Sequence, residues 1–243
     1  VAAIESGDFK ALSTAAVRAL SAEQLGALNS SQMASLTTTQ VGALTAGQLA
    51  ALSTTNLDAM GTAAFAKLSS AQVAALTTEQ VANLETADVA ALGTAAVKGL
   101  GGGALGPAAI KGLGGEALAA LGTAQAAALT TAQMASLSSA QVAAFETADL
   151  AAMSAADITA LGVLGLKGLS AAQVAGLTSA QVAGLSTAQV GSLTAEQLTG
   201  LGTANLVALT SAQVAALTGA QVAALSPPQR SARESAAPNA LRT

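Results

Sequence analysis

The chain has 243 residues, of which 52% are hydrophobic, 9% charged and 1% aromatic, and it contains no Cys, His, Trp or Tyr. The lack of Cys and His excludes thiolate nucleophiles, Ser-His-Asp triads, zinc sites with the usual ligand sets and disulfide frameworks. With a net charge of −4 and only nine Lys and Arg residues, the chain lacks the basic surface that nucleic-acid binding requires.

A single eight-residue repeat runs along the chain. Leu or a substitute occupies every eighth position from Ile4 to Leu100 and, after five extra residues, from Leu105 to Leu225. The consensus is Leu-(Ser/Thr)-(Ser/Thr)-Ala-Gln-Val-Ala-(Ala/Gly), here called the octad, with Leu at position 1. Position 6 is apolar in all 27 octads, and only Ala126 is small there. A repeat this regular predicts a solenoid.

Each octad contains the signals for one short helix. In the octad that starts at Leu36, Thr37 is an N-cap residue, and Gln40 is its partner in a capping box. Leu36 and Val41 then take the two places of a hydrophobic staple. Position 2 is Ser or Thr in 16 of the 27 octads. The pattern therefore predicts a two-turn helix in every octad.

Short helices are marginal alone, so these must bury Leu and Val against their neighbours. The predicted fold class is therefore an all-α solenoid, in which Ala allows close approach and Thr, Ser and Gln cover the outside. One continuous helix is disfavoured, because an eight-residue period would wind the Leu row around its axis. A β-solenoid of strand-plus-turn octads is the alternative. It is disfavoured by the Ala-Ala pairs and by the absence of the Gly-x-Asp pattern that calcium-binding rolls need.

The octad phase and the composition predict four regions. Residues 1–99 form a first solenoid half, 100–115 a Gly-rich phase slip or bend, 116–225 a second half, and 226–243 a Pro- and Arg-containing tail or linker. No membrane span is predicted, because Ser, Thr, Gln or Asn interrupts the apolar residues every few positions. The chain begins with Val and has no signal-like segment, which suggests a processed or excerpted piece.

Five basic residues are candidates for partner contacts. Lys98, Lys111 and Lys167 share octad position 7, and each is followed by Gly. They could bind an acidic polymer, but a cation near a helix C-terminus with Gly as its stop explains them more simply. Arg230 and Arg233 belong to the tail, which could lie across a neighbouring subunit.

Other departures from the repeat favour structural roles. Glu85 with Asp88, and Glu146 with Asp149, form matched carboxylate pairs that could bind calcium or perform acid–base chemistry. First-turn acids that interact favourably with the helix dipole explain them more simply. The Gly-rich segment 99–115 lacks the Lys-Ser/Thr of a phosphate-binding loop. No catalytic, metal or cofactor site is predicted.

The repeat resembles a known class of proteins. The run from Leu209 to Leu225, Leu-Thr-Ser-Ala-Gln-Val-Ala-Ala repeated with one change, is similar to the octapeptide arrays of very long bacterial surface or secreted exoproteins. These are often labelled adhesion or haem-utilisation proteins. The resemblance implies an extracellular or cell-surface location. It gives no support for haem binding here, because the chain has no His, Cys or Tyr and only four Met.

Together these patterns predict a non-catalytic structural protein: a filament subunit, stalk or adhesin spacer that self-associates. A module that binds polysaccharide or a partner surface is one alternative, and a secreted length-setting ruler is another. Self-association is favoured because a surface of Ala, Thr and Gln with few charges does little to keep copies apart.

Overall fold

A computed structural model describes residues 5–101 and 110–236. In these residues the chain forms 27 short α-helices and no β-strand, which confirms the all-α solenoid and excludes the β-solenoid alternative. The elements are α1 Ser6–Phe9, α2 Thr14–Ala19, α3 Ala22–Gly26, α4 Ser30–Ser35, α5 Thr38–Ala43, α6 Ala46–Ala50, α7 Thr54–Asp58, α8 Thr62–Phe65, α9 Ser70–Val73, α10 Thr78–Ala82, α11 Thr86–Ala91, α12 Thr94–Val97, the 3₁₀-helix η1 Lys98–Gly101, α13 Gly115–Ala119, α14 Thr123–Ala126, α15 Thr131–Ser136, α16 Ser139–Ala143, α17 Thr147–Ala152, α18 Ala155–Ala160, α19 Gly162–Gly168, α20 Ala171–Ala175, α21 Ser179–Gly184, α22 Thr187–Ser192, α23 Ala195–Gly200, α24 Thr203–Ala208, α25 Ser211–Ala215, α26 Gly219–Ala224 and α27 Pro227–Ala236. Within the part of the chain that the structure describes, no helix has the length and apolar character to cross a membrane.

The predicted caps set the helix boundaries. Thr37 has the extended backbone of an N-cap, with φ −72° and ψ 155°. Its backbone N–H donates to Gln40 Oε1 at 2.7 Å, and Gln40 N–H donates to Thr37 Oγ1 at 3.3 Å. The preceding Leu36 is also extended and ends α4, while its N–H donates to Met33 O at 3.1 Å. Leu36 thus closes one helix and leads into the cap of the next. Leu161 is an exception among the described octads, because its backbone is helical and α19 begins without a side-chain cap.

The core consists of octad positions 1 and 6, as the repeat predicts. Leu36 is 8% exposed and Val41 fully buried, so the staple faces inward. Phe9, Phe65 and Phe145 occupy the same two positions and are also buried. The Leu and Val rows therefore form the apolar interior of the stack.

The chain divides into two compact units, Val1–Ser136 and Leu137–Thr243. Within each unit a helix packs against the helix three places further along the chain, as α2 does with α5 and α20 with α23. Side chains at position 5 reach 28 to 31 residues back, to the helix four places earlier. One turn of each stack therefore takes between three and four octads.

The five extra residues of the phase slip do not interrupt the first stack. Gln125 Nε2 donates to the carbonyls of Val89, Ala90 and Leu92, which lie 36, 35 and 33 residues earlier. Each separation exceeds the usual one by the length of the extra segment, so the register is the same on both sides. The units divide at 136/137, not at the predicted segment 100–115. Residues 102–109 of that segment lie outside the described residues.

Residues 226–236 form one more capped helix where the sequence predicts a tail or linker. Ser226 N–H donates to Gln229 Oε1 at 2.9 Å, and Gln229 Nε2 donates to Thr199 O and Leu201 O, each at 2.9 Å. Pro227 is the first residue of α27, where its missing N–H costs nothing. The Ser-x-x-Gln box preserves the octad even though Arg230 replaces the apolar residue. Residues 237–243 lie outside the described residues.

Candidate functional site

The recurrent polar feature of this protein is the carboxamide at octad position 5. In Gln40, Oε1 accepts the N–H of its own N-cap residue, Thr37, and Nε2 donates to Phe9 O at 2.7 Å and Leu12 O at 2.8 Å. Both ends of one amide are therefore used. The oxygen completes the N-terminus of its own helix, and the nitrogen bonds to carbonyls at the end of a helix four places earlier.

This bond satisfies backbone groups that a short helix leaves open. The last four carbonyls of an α-helix have no partner within the helix. Gln213 Nε2 contacts two such oxygens, those of Ala183 at 3.2 Å and Leu185 at 2.7 Å, and also Val182 O at 3.0 Å, which accepts the N–H of Leu185 as well. The amide thus joins successive turns of the stack and caps two helix ends together.

The prediction that Gln covers the outside is wrong, because these amides need a position between two turns. The buried glutamines are Gln32, Gln40, Gln48, Gln72, Gln80, Gln125, Gln133, Gln141, Gln173, Gln181, Gln189, Gln197, Gln213, Gln221 and Gln229. One signal in the sequence could have revealed this role. A capping box accepts Glu as readily as Gln, yet Glu never stands at position 5 in the 27 octads. The preference for Gln over Glu indicates that a side chain of this length uses its donor at this position.

The three position-7 lysines that precede Gly, namely Lys98, Lys111 and Lys167, are exposed. Lys98 is the C-cap of α12, and Lys167 lies in the last turn of α19. Lys98 and Lys111 belong to the first compact unit and Lys167 to the second. The exposed positions leave the hypothesis of a partner contact at these lysines standing as a prediction.

The glycine after each lysine is not the helix stop that the sequence predicts. Positive φ angles occur among the described glycines only at Gly61 and Gly162. A Cβ at Gly99 would overlap Ser70 O, and one at Gly168 would overlap Ser139 O. The neighbouring turn of backbone therefore passes too close for any side chain at Gly99 and Gly168, and close packing explains these two glycines, whereas a Cβ at Gly112 would meet Ala82 N only at 3.3 Å.

The two arginines of the predicted tail bond to the chain itself. Arg230 Nη1 donates to Leu225 O at 2.6 Å, and Arg233 Nη1 donates to Val207 O at 3.2 Å. Arg233 is only 5% exposed. Both guanidinium groups thus support the end of the second unit.

The acid pairs contain two buried carboxylates at the position that Gln usually holds. Asp88 and Asp149 lie in first turns, as predicted, but each is only 2% exposed. Oδ2 of each is buried without a hydrogen-bond partner among the described residues. Burial, and to a smaller extent the carboxylates of Glu85 and Asp58, raises the pKa of Asp88 to about 6. In residues 5–101 and 110–236 no three His, Cys, Asp or Glu residues are placed to hold a metal ion.

The comparison with known families agrees with the repeat. A family model described as the ALTTAQ repeat matches six segments that together cover most of the chain: residues 1–38, 54–86, 103–131, 142–179, 165–195 and 195–227. The six letters themselves occur at residues 128–133. No curated protein matches the chain. The matches confirm the repeat architecture that the octads predict.

Proposed function

The chain belongs to the ALTTAQ repeat family, and from this premise we propose that it is a non-catalytic structural protein that self-associates into filaments, stalks or adhesin spacers. We place it at a bacterial cell surface or outside the cell, as the resemblance to octapeptide exoproteins implies. The observation that carries the proposal is the use of the repeat's polar side chains. Hydroxyls and carboxamides form helix caps and bonds between turns, so they serve the scaffold.

The outer face of a typical octad supports association between copies. In the octad that starts at Leu209, the exposed residues are Thr210, Ser211, Ala212 and Ala215. These side chains are small and uncharged, so copies can approach closely with little electrostatic repulsion. A stack of identical repeats also grows in proportion to their number. Both properties suit a spacer or filament subunit.

Light scattering and negative-stain electron microscopy of the full chain test the proposal. We expect particles several times heavier than the 23.1 kDa chain at micromolar concentration. A single species of 23.1 kDa over the whole range would contradict self-association. For the location, we expect protease added to intact producing cells to degrade this chain while a cytoplasmic control protein survives.

The exposed lysines favour one alternative, a module that binds an acidic polysaccharide. The test is a glycan array with the wild-type chain and with a variant in which Lys98, Lys111 and Lys167 are changed to Ala. Binding to acidic glycans that disappears in the variant would support this alternative. Loss of glycan binding in a variant that changes only Lys98 and Lys111 to Ala, with an unchanged assembly state, would separate this alternative from self-association.

A further inference from the structure

One octad exposes a large apolar side chain that the fold does not require. Leu164 stands at octad position 4 and is 78% exposed. In the other 26 octads this position holds Ala, Gly, Ser, Thr or Glu, and short helices form without Leu there in the octads that the structure describes. Lys167 follows three residues later on α19, so both side chains lie on one face of the helix. Leu164 and Lys167 thus present an apolar and a charged group together on one exposed face of α19.

The first unit contains a groove of matching character. It has a volume of about 900 Å³ and lies between α6 and the end of α9. Ala46, Gly47, Ala50 and Ala74 line it, and the exposed Glu79 stands at its edge. A Cβ added at Gly47 would meet no atom within 4 Å, so the groove is open there. We call this surface the alanine groove.

We propose that Leu164 of one copy of this chain docks in the alanine groove of a second copy, with Lys167 opposite Glu79. This inference rests on the proposed self-association and names its contact. The apolar side chain fits a floor of methyl groups, and the two charges are complementary. Neither Lys167 Nζ nor the Glu79 carboxylate has a hydrogen-bond or ion-pair partner among the described residues, so both are available for the contact.

The contact joins two different surfaces, so it is heterologous. A copy whose Leu164 occupies a second copy's groove still has its own groove free, and the second copy still has its own Leu164 free. Such contacts build rings when the rotation closes and open filaments when it does not. A pair of copies that exchanges both contacts about a twofold axis stops at a dimer, whereas contacts made in one direction continue to larger assemblies.

Sedimentation velocity of the full chain over about 1 to 100 μM measures the association. Leu164→Ala restores the residue that most octads carry, so the fold tolerates it. We expect this variant to weaken association about tenfold. Lys167→Glu should weaken it as well, whereas Lys98→Glu is the matched control because Lys98 has the same octad position and Ala95 three residues before it. Lys167→Glu combined with Glu79→Lys should restore association.

The outcomes separate this inference from the function on which it rests. The contact is supported if association is weaker in Leu164→Ala and in Lys167→Glu but unchanged in Lys98→Glu. It is supported further if association recovers when Lys167→Glu is combined with Glu79→Lys. Association that is equal in all variants overturns the contact and leaves self-association standing. A wild-type chain that stays monomeric throughout overturns both.

Discussion

The side chain that contributes most to the stability of this stack is the carboxamide at octad position 5, in which the oxygen accepts a hydrogen bond and the nitrogen donates. A buried hydrogen bond contributes about 1 kcal/mol net, and an unpaired buried polar group costs about 1–3 kcal/mol. Gln181 makes one bond with its oxygen, to Thr178 N–H, and its nitrogen donates to Leu150 O and Met153 O. Glu has the same acceptor but no donor, and it would bring a charge between two turns.

Gln181→Glu should lower the free energy of unfolding by about 3 kcal/mol at neutral pH. It keeps the bond to Thr178 but loses two bonds to the earlier turn and buries a charge. Urea denaturation followed by circular dichroism measures the change. Gln24→Glu is the matched control, because Gln24 forms the same capping box with Ser21 but is exposed. We expect that variant to change stability by less than about 0.5 kcal/mol. Equal losses in both would assign the effect to the cap alone.

The sequence predicts only the local half of this side chain's role. The capping box between Thr37 and Gln40 spans three residues, so the local sequence pattern predicts it. The bond from Gln40 to Phe9 spans 31 residues, and every octad offers the same carbonyls as partners. Periodicity predicts the helices, their caps and the buried rows, but it does not specify how many octads make one turn. That number depends on packing between helices.

Asp88 makes stability depend on pH. Its pKa is raised to about 6 in the folded chain, against 3.8 in the unfolded chain, so the folded state holds the extra proton between these values. The free energy of unfolding should therefore fall as pH rises from about 4 to about 6, and stay lower above that range. Allowing for solvent screening, we expect a loss of roughly 1–2 kcal/mol.

Denaturation midpoints of two variants across this pH range test the assignment. Asp88→Asn should remove this part of the pH dependence, because no carboxylate remains to be buried. Asp88→Gln restores the donor of the consensus octad and should raise stability at neutral pH by about 1–2 kcal/mol. If the stability of the wild-type chain changes with pH in parallel with that of Asp88→Asn, Asp88 is excluded as the source of the pH dependence.

At the scale of the helices, close approach between turns determines where glycine is needed. Two-turn helices have few internal hydrogen bonds and depend on contacts with the neighbouring turns. Where the last residue of a helix lies against backbone of the turn before it, even a methyl group does not fit. Gly168 against Ser139 and Gly200 against Ala171 show this arrangement. The sequence suggests a helix stop at Gly168 because chain order does not reveal which backbone passes beside it.

Gly168→Ala should destabilise the second unit by about 1–3 kcal/mol, since the added methyl would overlap Ser139 O. Gly219→Ala is the matched control in α26, where an added Cβ meets no atom within 4 Å. Because Ala favours helix over Gly, we expect that variant to be unchanged or up to about 1 kcal/mol more stable. Thermal unfolding of the two variants measures the difference. Similar destabilisation by both would contradict an account based on close packing.

At the scale of the whole molecule, the octad register is the property that each stack conserves. Bonds between turns recur at the same separations along each unit, and the first unit keeps its register across five extra residues. An insertion can form a loop at the surface, because the residues on either side keep their partners. A deletion that is not a whole octad cannot be accommodated in this way. The hydrogen bonds between turns on either side of the deletion would have to form with too few residues between their partners.

Deleting residues 179–186 joins Thr178 to Thr187 and preserves the octad phase. Each later Gln can then bond to the Val and Leu carbonyls of another octad at the usual sequence separation. We expect unchanged helical ellipticity per residue and a Tm lowered by about 2–4 °C, because one repeat and its contacts are lost.

Deleting residues 179–182 removes fewer residues but should do more damage. It removes Gln181 and Val182. It also shortens by four residues the stretch of chain between the partners of each hydrogen bond that spans the junction. We expect a broader transition and a Tm loss at least twice that of the full-octad deletion, by differential scanning calorimetry. Because the shorter deletion removes less of the core, a larger effect can come only from lost register. Equal effects would mean that the stack tolerates any phase.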